Sequence, residues 1–487
     1  MNTGTIIDAA AAGEPTRSAL IMEGRSISYA ELGTAVRQCA AGLAARGVVA
    51  GERVAVVDTA SLVSIATLLG AARIGASAAL MNPALTPTEL RALLDNTGNA
   101  KVAVAGEAYV ARLVEAGATS LLTGTDLLND DQPATPAVGD ADPHDTRESL
   151  VLFTSGTTGL PKPVAITHRQ LELRLARTSA PFRSDVAPAV VMMCAPFFHV
   201  GGALGLLGTL HSGGTLVVQQ RFDAGEWLRL VSKHRVSTMF LVPTMLHRIL
   251  DHPDFADTDL SSLTAITYGA AAAPAALLRR AMDALPHVGF TNVFGQTETV
   301  GTYANLLPEE HRDPALAGSV GRPLPGMEVR VVDPATGIDV EPGAVGELWV
   351  NSPLNSPSHT VDGWLRTGDL GRRDSNGYIY PSGRRKDTIN RGGEKFGPIE
   401  VEEALRSHPA VIDVAVAGIA DEEIGQRVGA AVVVSAPVTL EELRSHCRAS
   451  IAYFKLPERL RIVEDIPYNA AGKVNRHQLA ALIAEDG

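Results

Sequence analysis

The sequence predicts a mixed α/β and α+β chain. A large N-terminal domain of layered sheets with helices, which carries a β subdomain, precedes a small mobile C-terminal α+β domain. Short apolar runs alternate with helical patterns before Gly318, which is typical of parallel strands joined by helices. Beyond Gly318, short strand patterns are separated by Gly/Pro turns. A charged break then precedes a last set of helix and strand patterns, so we predict domains at 1–385 and 386–487.

Length and composition indicate a globular protein. The 487 residues suggest about three domains or subdomains. Hydrophobic residues make up 45% and charged residues 20%, which is enough apolar material for a large core. A net charge of −12 without a basic cluster argues against nucleic acid and anionic membrane surfaces as partners.

The N-terminus and the cysteines predict a cytoplasmic protein without a membrane span. The first residues lack the basic segment and long apolar run of a signal peptide, and no run approaches ~18 apolar residues. Cys39, Cys194 and Cys447 lie far apart, without partners at metal-ligand spacing, so we predict reduced thiols.

Caps and apolar runs predict the first elements. Ser28 and Glu31 form a capping-box pattern that opens a helix ending near Gly47. Thr86 precedes a second helix with proline at its first position. The other elements predicted here are a strand at 53–57, a helix at 61–73, a strand at 101–105 and an exposed connector at 126–148.

Apolar periodicity and turn residues predict the remaining elements. In the large domain, strands are predicted at 189–194, 215–219, 237–242, 263–268 and 289–294, and helices at 224–234, 243–250 and 274–285. The β subdomain has predicted strands at 327–332, 346–350 and 378–381. The C-terminal domain has predicted helices at 399–407, at 439–451 and from 475, with strands at 411–419, 428–434 and 459–464.

The stretch from Val151 to His168 is the most informative part of the chain. A short buried strand is predicted first, and Thr154 to Lys162 then supplies four hydroxyls, two glycines and one cation in nine residues. Glycine permits close backbone approach and runs of N–H groups form anion-binding nests, so this composition suits a polyphosphate. The spacing differs from that of a P-loop, because Lys162 follows Gly159 by three residues.

Several motifs occur in one order along nearly the whole chain. They are Thr154-Ser-Gly-Thr-Thr-Gly-Leu-Pro-Lys162, Tyr268-Gly-Ala-Ala-Ala-Ala-Pro274, Phe294-Gly-Gln-Thr-Glu298, Arg366-Thr-Gly-Asp-Leu370, Gly383-Arg-Arg-Lys-Asp387 and Gly472-Lys473. Together they resemble the motifs of the adenylate-forming superfamily, which includes acyl-CoA synthetases, stand-alone adenylation domains and luciferases.

The resemblance implies an ATP site. The phosphate loop would hold the β- and γ-phosphates, two segments would flank adenine, and a carboxylate and a guanidinium would hold the ribose and the α-phosphate. The implied nucleotide-binding residues are Thr154, Ser155, Gly156, Thr157, Thr158, Gly159, Lys162, Gly269, Ala270, Ala271, Phe294, Gly295, Asp369 and Arg384.

The same resemblance assigns the metal site and the catalytic residues. Glu298 is the predicted Mg²⁺ ligand, since this hard cation commonly takes one or two carboxylates together with phosphates. Thr297 would donate to a phosphate oxygen. Lys473 would reach across the domain interface to offset charge on the phosphorus. His199 borders the acid and is the third catalytic candidate.

The predicted acyl pocket follows Pro196-Phe-Phe-His-Val-Gly-Gly202, which resembles the Phe-His segment of acyl-CoA synthetases. Its residues are Phe198, His199, Val200, Gly202, Ala270, Val300 and Gly301. The segment holds no aspartate, which an amino-acid-activating domain would need for the substrate ammonium. A bulky apolar carboxylic acid is therefore the predicted substrate class.

The C-terminal domain supplies the implied coenzyme A contacts and the hinge. Gly392 and Gly393 resemble the stretch along the pantetheine tunnel, where missing side chains let a thin chain pass. Phe454 and Lys455 are candidates for holding the CoA nucleotide, and Lys386 is the implied hinge.

These features predict an acyl-CoA synthetase that forms acyl-AMP from an acid and Mg·ATP. The small domain then swings about Lys386, and the acyl group passes to CoA. Two departures from the family pattern keep a weakly adenylating ligase, acting mainly on supplied acyl-AMP, as an alternative. Pro163 stands where glycine is usual, and Tyr468-Asn469 stand where a basic residue and threonine are commoner. Proline removes a backbone N–H, although Pro163 could equally just stiffen the exit to the next strand.

Three further alternatives stay open from the sequence. A stand-alone adenylation domain would load a carrier protein instead of CoA. A non-catalytic nucleotide-binding relative is disfavoured, because Glu298, Asp369, Arg384 and Lys473 are all present. A homodimer is also compatible with the sequence.

Overall fold

The chain forms two large sheets with helices, a β subdomain and a small C-terminal domain. The computed structural model describes residues 1–97, 100–129, 146–154, 161–178, 188–271, 273–392, 394–448, 450–469 and 473–485. The helices are α1 (Asp8–Gly13), α2 (Tyr29–Ala45), α3 (Leu62–Arg73), α4 (Pro87–Asn96), α5 (Val110–Glu115), α6 (Gly124–Leu127), α7 (His168–Thr178), α8 (Val200–His211), α9 (Ala224–His234), α10 (Pro243–Leu250), α11 (Ala275–Ala284), α12 (Pro398–Arg406), α13 (Leu440–Cys447) and α14 (Arg476–Ala484).

The strands of the large domain and of the small domain follow one another without mixing. They are β1 (Ser18–Met22), β2 (Arg25–Ser28), β3 (Arg53–Val57), β4 (Ser77–Met81), β5 (Ala100–Ala105), β6 (Leu121–Leu122), β7 (Glu148–Thr154), β8 (Lys162–Thr167), β9 (Val190–Met193), β10 (Thr215–Val218), β11 (Thr238–Leu241), β12 (Ala265–Gly269), β13 (Gly289–Gln296), β14 (Gly301–Leu306), β15 (Arg322–Pro323), β16 (Glu328–Val332), β17 (Gly346–Asn351), β18 (Thr360–Val361), β19 (Trp364–Arg373), β20 (Ile379–Arg384), β21 (Ile389–Arg391), β22 (Glu394–Phe396), β23 (Val411–Asp421), β24 (Gly425–Val434) and β25 (Arg459–Ile462).

Among the described residues these strands form four sheets. A nine-stranded sheet has the order β15-β14-β13-β12-β11-β9-β10-β1-β2, and a six-stranded sheet has the order β6-β5-β3-β4-β7-β8. The β subdomain is the sheet β16-β17-β19-β18 with β20 on β19. The small domain is the sheet β22-β21-β24-β23 with β25 on β24.

Buried helices hold the two large sheets together. One apolar cluster includes Leu20 of β1, Leu43 of α2, Leu68 of α3, Val56 of β3 and Leu207 of α8. A second cluster, with Trp227, Leu246 and Leu277, covers the other face of the nine-stranded sheet with α9, α10 and α11. The large domain is therefore layered, as expected for sheets that bury both faces.

Local sequence signals explain where most elements begin. The backbone N–H of Ser28 donates to Glu31 at 2.7 Å, and that of Glu31 donates to the Ser28 hydroxyl at 3.2 Å. This is the predicted capping box at the start of α2. The strands and helices predicted between residues 53 and 294 occur within two residues of their predicted ends, except that the strand predicted from Val151 begins three residues earlier, at Glu148.

Two helices near the site were not predicted, namely α7 and α8. Glycines lower the helix propensity of the α8 sequence, and burial of its apolar side chains in the main core overrides that preference. In the part of the chain that is described, no helix has the length and apolar content needed to cross a membrane.

Candidate active site

Three loops meet where strands of the nine-stranded sheet end. His199 follows β9, Ala270 follows β12, and Thr297 and Glu298 follow β13. Because β9, β11, β12 and β13 run parallel, their carboxyl ends share one edge. Ligands of open α/β sheets bind at such an edge. A cleft of about 2260 Å³ opens there and extends to residues of the small domain.

The predicted nucleotide-binding residues that are described lie in or beside this cleft. Thr154, Ala270, Gly295 and Arg384 line it, and Gly269, Ala271, Phe294 and Asp369 adjoin those residues in sequence or through an ion pair. Lys162, which is exposed at the start of β8, follows Pro161 of the lining and pairs with Thr154 across the two strands. Ser155, Gly156, Thr157, Thr158 and Gly159 lie outside the described residues.

A buried carboxylate, Asp369, lies beside a guanidinium at the domain boundary. Nε of Arg384 is 2.8 Å from Oδ1 of Asp369. Burial raises the pKa of Asp369, while Arg384 and Lys473 act in the opposite direction. The N–H of Asp369 donates to the Thr367 hydroxyl at 3.0 Å, and that hydroxyl donates to the carbonyl of Leu348 at 2.6 Å. The carboxylate is thus fixed in position by the β subdomain.

Glu347 supports the same turn, although its sequence context did not mark it as a site residue. It is buried, and its Oε1 accepts a hydrogen bond from the N–H of Gly368 at 3.1 Å. Its Oε2 lies 3.4 Å from Nη1 of Arg385, the first residue of the linker to the small domain.

Lys473 enters the cleft from the small domain. Burial lowers the pKa of its ammonium, Arg384 adds to that effect, and Asp369 and Glu298 oppose it. The turn that carries Lys473 is closed by Asn469. The N–H of Asn469 donates to the carbonyl of Lys473 at 2.8 Å, and the N–H of Lys473 donates to Oδ1 of Asn469 at 3.0 Å.

Tyr468 braces the same turn. Its hydroxyl donates to Oδ2 of Asp413 on β23 at 2.8 Å, and it forms an isolated β-bridge with Val474. The two residues that depart from the family pattern, Tyr468 and Asn469, therefore hold the Lys473 turn against the small domain.

His199 lines the cleft and has a ring nitrogen without a hydrogen-bond partner among the described residues. Burial, with a smaller contribution from Lys473, lowers the pKa of His199 to about 4, so the imidazole is neutral near pH 7. Its Nε2 is buried without a hydrogen-bond partner among the described residues. Because an orphaned buried nitrogen is costly, this atom fits a site that receives a substrate oxygen.

The part of the cleft that contains the predicted acyl pocket is formed by β14, α7 and α8. Of the predicted pocket residues, Phe198, His199, Val200, Gly202, Ala270 and Gly301 line the cleft. The side chain of Val300 instead packs in the main core, with φ of +49°. Gly301 has φ of +88°, and a Cβ there would lie 2.8 Å from Cδ1 of Leu204. The left-handed backbone therefore favours glycine at this wall, and a side chain there would displace Leu204.

The donors near Glu298 fit a hard cation held mainly by phosphates. Glu298 and Thr297 line the cleft, and the carbonyl of Glu298 accepts a hydrogen bond from the N–H of Ser356 at 2.8 Å. In the described residues no group of three or more His, Cys, Asp or Glu side chains could hold a metal ion. A single carboxylate with phosphate oxygens is the arrangement that Mg²⁺ commonly adopts in nucleotide sites.

The predicted CoA contacts lie outside the described lining of the cleft. Gly392 is exposed with φ of +59°. Phe454 packs on Phe396 with ring centroids 5.9 Å apart. Nζ of Lys455 is 2.7 Å from Glu400. Gly393 lies outside the described residues.

Two ion pairs flank Lys386, which is exposed in the linker Arg385–Asp387. On one side, Arg385 reaches Glu347 of the large domain. On the other, Nε of Arg476 in α14 lies 3.4 Å from Asp387, and its Nη1 lies 2.9 Å from Glu402. The boundary at 385/386 remains a prediction.

The cleft is more cationic than the acidic protein around it. Among the described residues that line it, seven are Arg or Lys and three are Asp or Glu, whereas the chain has a net charge of −12. Such a cleft concentrates anionic ligands.

Comparisons with known proteins agree with this geometry. The family model "AMP-binding enzyme" matches residues 7–358, and "AMP-binding enzyme C-terminal domain" matches residues 400–473. The chain is 32% identical to an indoleacetate–CoA ligase of Aromatoleum aromaticum, over 98% of this chain and 97% of the relative. It is 31% identical to a fatty acid–[acyl-carrier-protein] ligase of Streptomyces coeruleorubidus, over 96% of this chain and 93% of the relative.

A solved structure shows the same fold. The o-succinylbenzoate coenzyme A synthetase of Bacillus subtilis, in complex with ATP and magnesium ion, is 27% identical with a TM-score of 0.84, covering 98% of this chain and 99% of that one. The predicted fold class and family are thereby confirmed. The chain belongs to the family of AMP-binding enzymes and is an AMP-forming acid–thiol ligase that works with ATP and Mg²⁺.

Proposed function

We propose that the protein is an acyl-CoA synthetase that activates a bulky, mainly apolar carboxylic acid as acyl-AMP and then transfers the acyl group to CoA. The supporting observation is that Lys473 lines the same cleft as Arg384 and Glu298, where Arg384 forms an ion pair with Asp369. A cation from one domain thus faces the predicted nucleotide residues of the other.

In the first half-reaction a carboxylate oxygen of the acid bonds to the α-phosphorus of ATP, and pyrophosphate leaves. Lys473 offsets the negative charge that builds on the phosphate, and Thr297 donates to one of its oxygens. Asp369 accepts hydrogen bonds from the ribose hydroxyls, and neutral His199 bonds the acid through Nε2. Mg²⁺, held by Glu298 and the phosphates, would neutralise phosphate charge when bound.

In the second half-reaction the small domain turns about Lys386, withdraws Lys473 and brings Gly392 to the cleft. The CoA thiol loses its proton to water, its sulfur bonds to the acyl carbonyl carbon, and the bond from that carbon to the phosphate oxygen breaks, so that AMP leaves. The proposal is supported by the present arrangement, in which Lys473 lines the cleft and Gly392 does not. One orientation of the small domain cannot serve both half-reactions.

The residues that line the predicted acyl pocket support a bulky, mainly apolar acid as the substrate. Apart from His199, the predicted pocket residues that line it are Phe198, Val200, Gly202, Ala270 and Gly301, which are small or apolar. The two relatives described above are named for indoleacetate and for fatty acids, which are both largely apolar acids.

Substitution of the lysine tests the proposal. A panel of bulky apolar acids with ATP and CoA is scored for pyrophosphate and AMP release by the wild type and by Lys473→Ala. We expect the variant to form acyl-AMP about 10²–10³-fold more slowly, because a positioned charge at the phosphate is lost. It should still convert synthetic acyl-AMP and CoA to the thioester. Lys233→Ala, on the exposed face of α9, is the control. Full ATP-dependent activity in Lys473→Ala would contradict the proposal.

Carrier loading is the second candidate, favoured by the likeness to the fatty acid–[acyl-carrier-protein] ligase. Supplying CoA and a carrier-bound phosphopantetheine at equal concentrations decides between them. Preferential acylation of the carrier would replace CoA as the acceptor without changing the first half-reaction.

A further inference from the structure

Two arginines of α7 line the cleft beyond the predicted acyl pocket. Arg174 and Arg177 are three residues apart, which places them on one side of the helix. Arg174 lies next to Gly301 in the cleft wall. A Cβ placed on Gly301 would be 3.1 Å from Nη2 of Arg174. Nη1 of Arg174 donates to the carbonyl of Thr302 at 2.8 Å.

Arg177 lies one turn further along the same wall. A Cβ on Gly326 would lie 3.2 Å from its Nη2. Its Nη1 is buried and has no hydrogen-bond partner among the described residues. The described carboxylates that line the cleft are Glu298, at the nucleotide end, and Asp413 and Asp465 of the small domain.

Arg174 is buried and Arg177 is partly exposed, and the proximity of two positive charges is unfavourable. Burial lowers the pKa of Arg174 to about 10, and the positive charge of Arg177 adds to this effect. An anion beside Arg177 would offset its positive charge and satisfy its Nη1. The planar, forked guanidinium suits a carboxylate, which it can bind through two parallel hydrogen bonds.

We propose that the acid substrate carries a second carboxylate, which Arg174 and Arg177 bind. In this inference, which rests on the proposed function, the substrate is a dicarboxylic acid with an apolar middle. One carboxylate meets Lys473 and His199 for activation. The apolar part lies along Val200, Leu204 and Gly301, and the other carboxylate reaches the two arginines.

A purely structural role accounts for Arg174 more readily than for Arg177. The hydrogen bond from Arg174 to Thr302 connects α7 to β14 and supports the pocket wall. The buried Nη1 of Arg177 supports no described element in this way. Arg177 is therefore the residue whose substitution separates ligand binding from folding.

The test uses α,ω-dicarboxylic acids of increasing length, each beside the monocarboxylic acid of the same carbon count. With ATP and CoA, kcat/KM is measured from pyrophosphate release by the wild type, Arg177→Gln, Arg177→Lys and the surface control Arg229→Gln. At the best chain length we expect kcat/KM for the diacid to be about tenfold higher than for the monoacid, because a hydrogen bond to a charged group contributes about that factor. Arg177→Gln should lower that ratio about tenfold and Arg177→Lys by less, while Arg229→Gln leaves it unchanged.

Thermal unfolding with each acid gives a second readout that does not require turnover. The preferred diacid should raise the Tm of the wild type more than that of Arg177→Gln. Equal kcat/KM for diacid and monoacid at every length would overturn the inference and leave the proposed function standing. If no acid is activated at all, the proposed function fails. The Tm shifts then decide the inference alone, and it is overturned if the diacids raise the Tm no more than the monoacids do.

Discussion

The hydroxyl of Tyr468 donates a 2.8 Å hydrogen bond to Oδ2 of Asp413, and this bond joins the turn that carries Lys473 to strand β23. Burial raises the pKa of Tyr468 far above its usual value, and the Asp413 charge raises it further. The hydroxyl therefore stays protonated and keeps donating at any pH at which the enzyme would work. The position of the Lys473 ammonium thus depends on a contact within the small domain.

Removing this hydroxyl should slow acyl-AMP formation without slowing thioester formation. In Tyr468→Phe the Lys473 turn loses its anchor, so we expect kcat for pyrophosphate release to fall about three- to tenfold, while the KM for ATP changes little. Conversion of supplied acyl-AMP should continue at the wild-type rate, since Lys473 is withdrawn in that step. Asp413→Asn, which retains an acceptor oxygen, should have the smaller effect. Equal losses in both half-reactions would indicate general destabilisation instead of positioning.

Adding a methyl group at Gly301 should narrow the acyl pocket. The left-handed backbone there and the 2.8 Å approach to Leu204 predict that Gly301→Ala raises the KM for bulky acids about tenfold or more and leaves that for ATP near its wild-type value. Gly318→Ala is the matched control, because Gly318 has φ of +79° and no atom within 4 Å of a Cβ placed there. If both variants raise the acid KM equally, backbone strain and not pocket volume is responsible.

His199 should make the protein less stable towards acid. Its pKa is lowered from 6.5 to about 4 in the folded state, so between these values the unfolded chain binds more protons than the folded one. The free energy of unfolding therefore falls as pH falls through this window, by up to about 3 kcal/mol from this group. Urea unfolding of the wild type and His199→Gln, at neutral pH and near pH 4, should show the smaller loss in the variant. Identical losses would assign the effect to other groups.

Pro163 bears on the weakly adenylating alternative. It lies in the edge strand β8 opposite Phe153, and an edge strand is one of the places where a sheet accepts proline. We therefore expect Pro163→Gly to lower the free energy of unfolding by about 0.5–1 kcal/mol, because the unfolded chain gains freedom. Pyrophosphate release should stay within about twofold of the wild type. A several-fold increase would show that the missing N–H limits adenylation and would favour the alternative.

Residues that carry their own chemical signal could be predicted from the sequence. Glu298, Asp369, Arg384 and Lys473 stand in motifs, and the structure brings their charges together. The N-terminal caps of α2 and α4 could also be predicted, because the Ser28–Glu31 and Thr86–Glu89 pairs satisfy backbone N–H groups locally.

Features created by tertiary contacts could not be predicted in the same way. Helix α8 forms despite its glycines because its apolar side chains are buried. Val300 turns into the core because its backbone is left-handed, which leaves Gly301 at the wall. The roles of Glu347 and Asp413 depend on partners more than twenty residues away in the chain, so no local pattern marks them.

The ion pairs on either side of Lys386 restrict how the two lobes can move. Arg385 is attached to the large domain through Glu347, and Asp387 is attached to the C-terminal helix through Arg476. If both attachments persist during a turnover, the reorientation between the half-reactions must come from bond rotations at a single residue. The small domain would then rotate about the backbone of Lys386 alone. A cross-link that spans this residue would hold the enzyme in the orientation for one half-reaction and block the other.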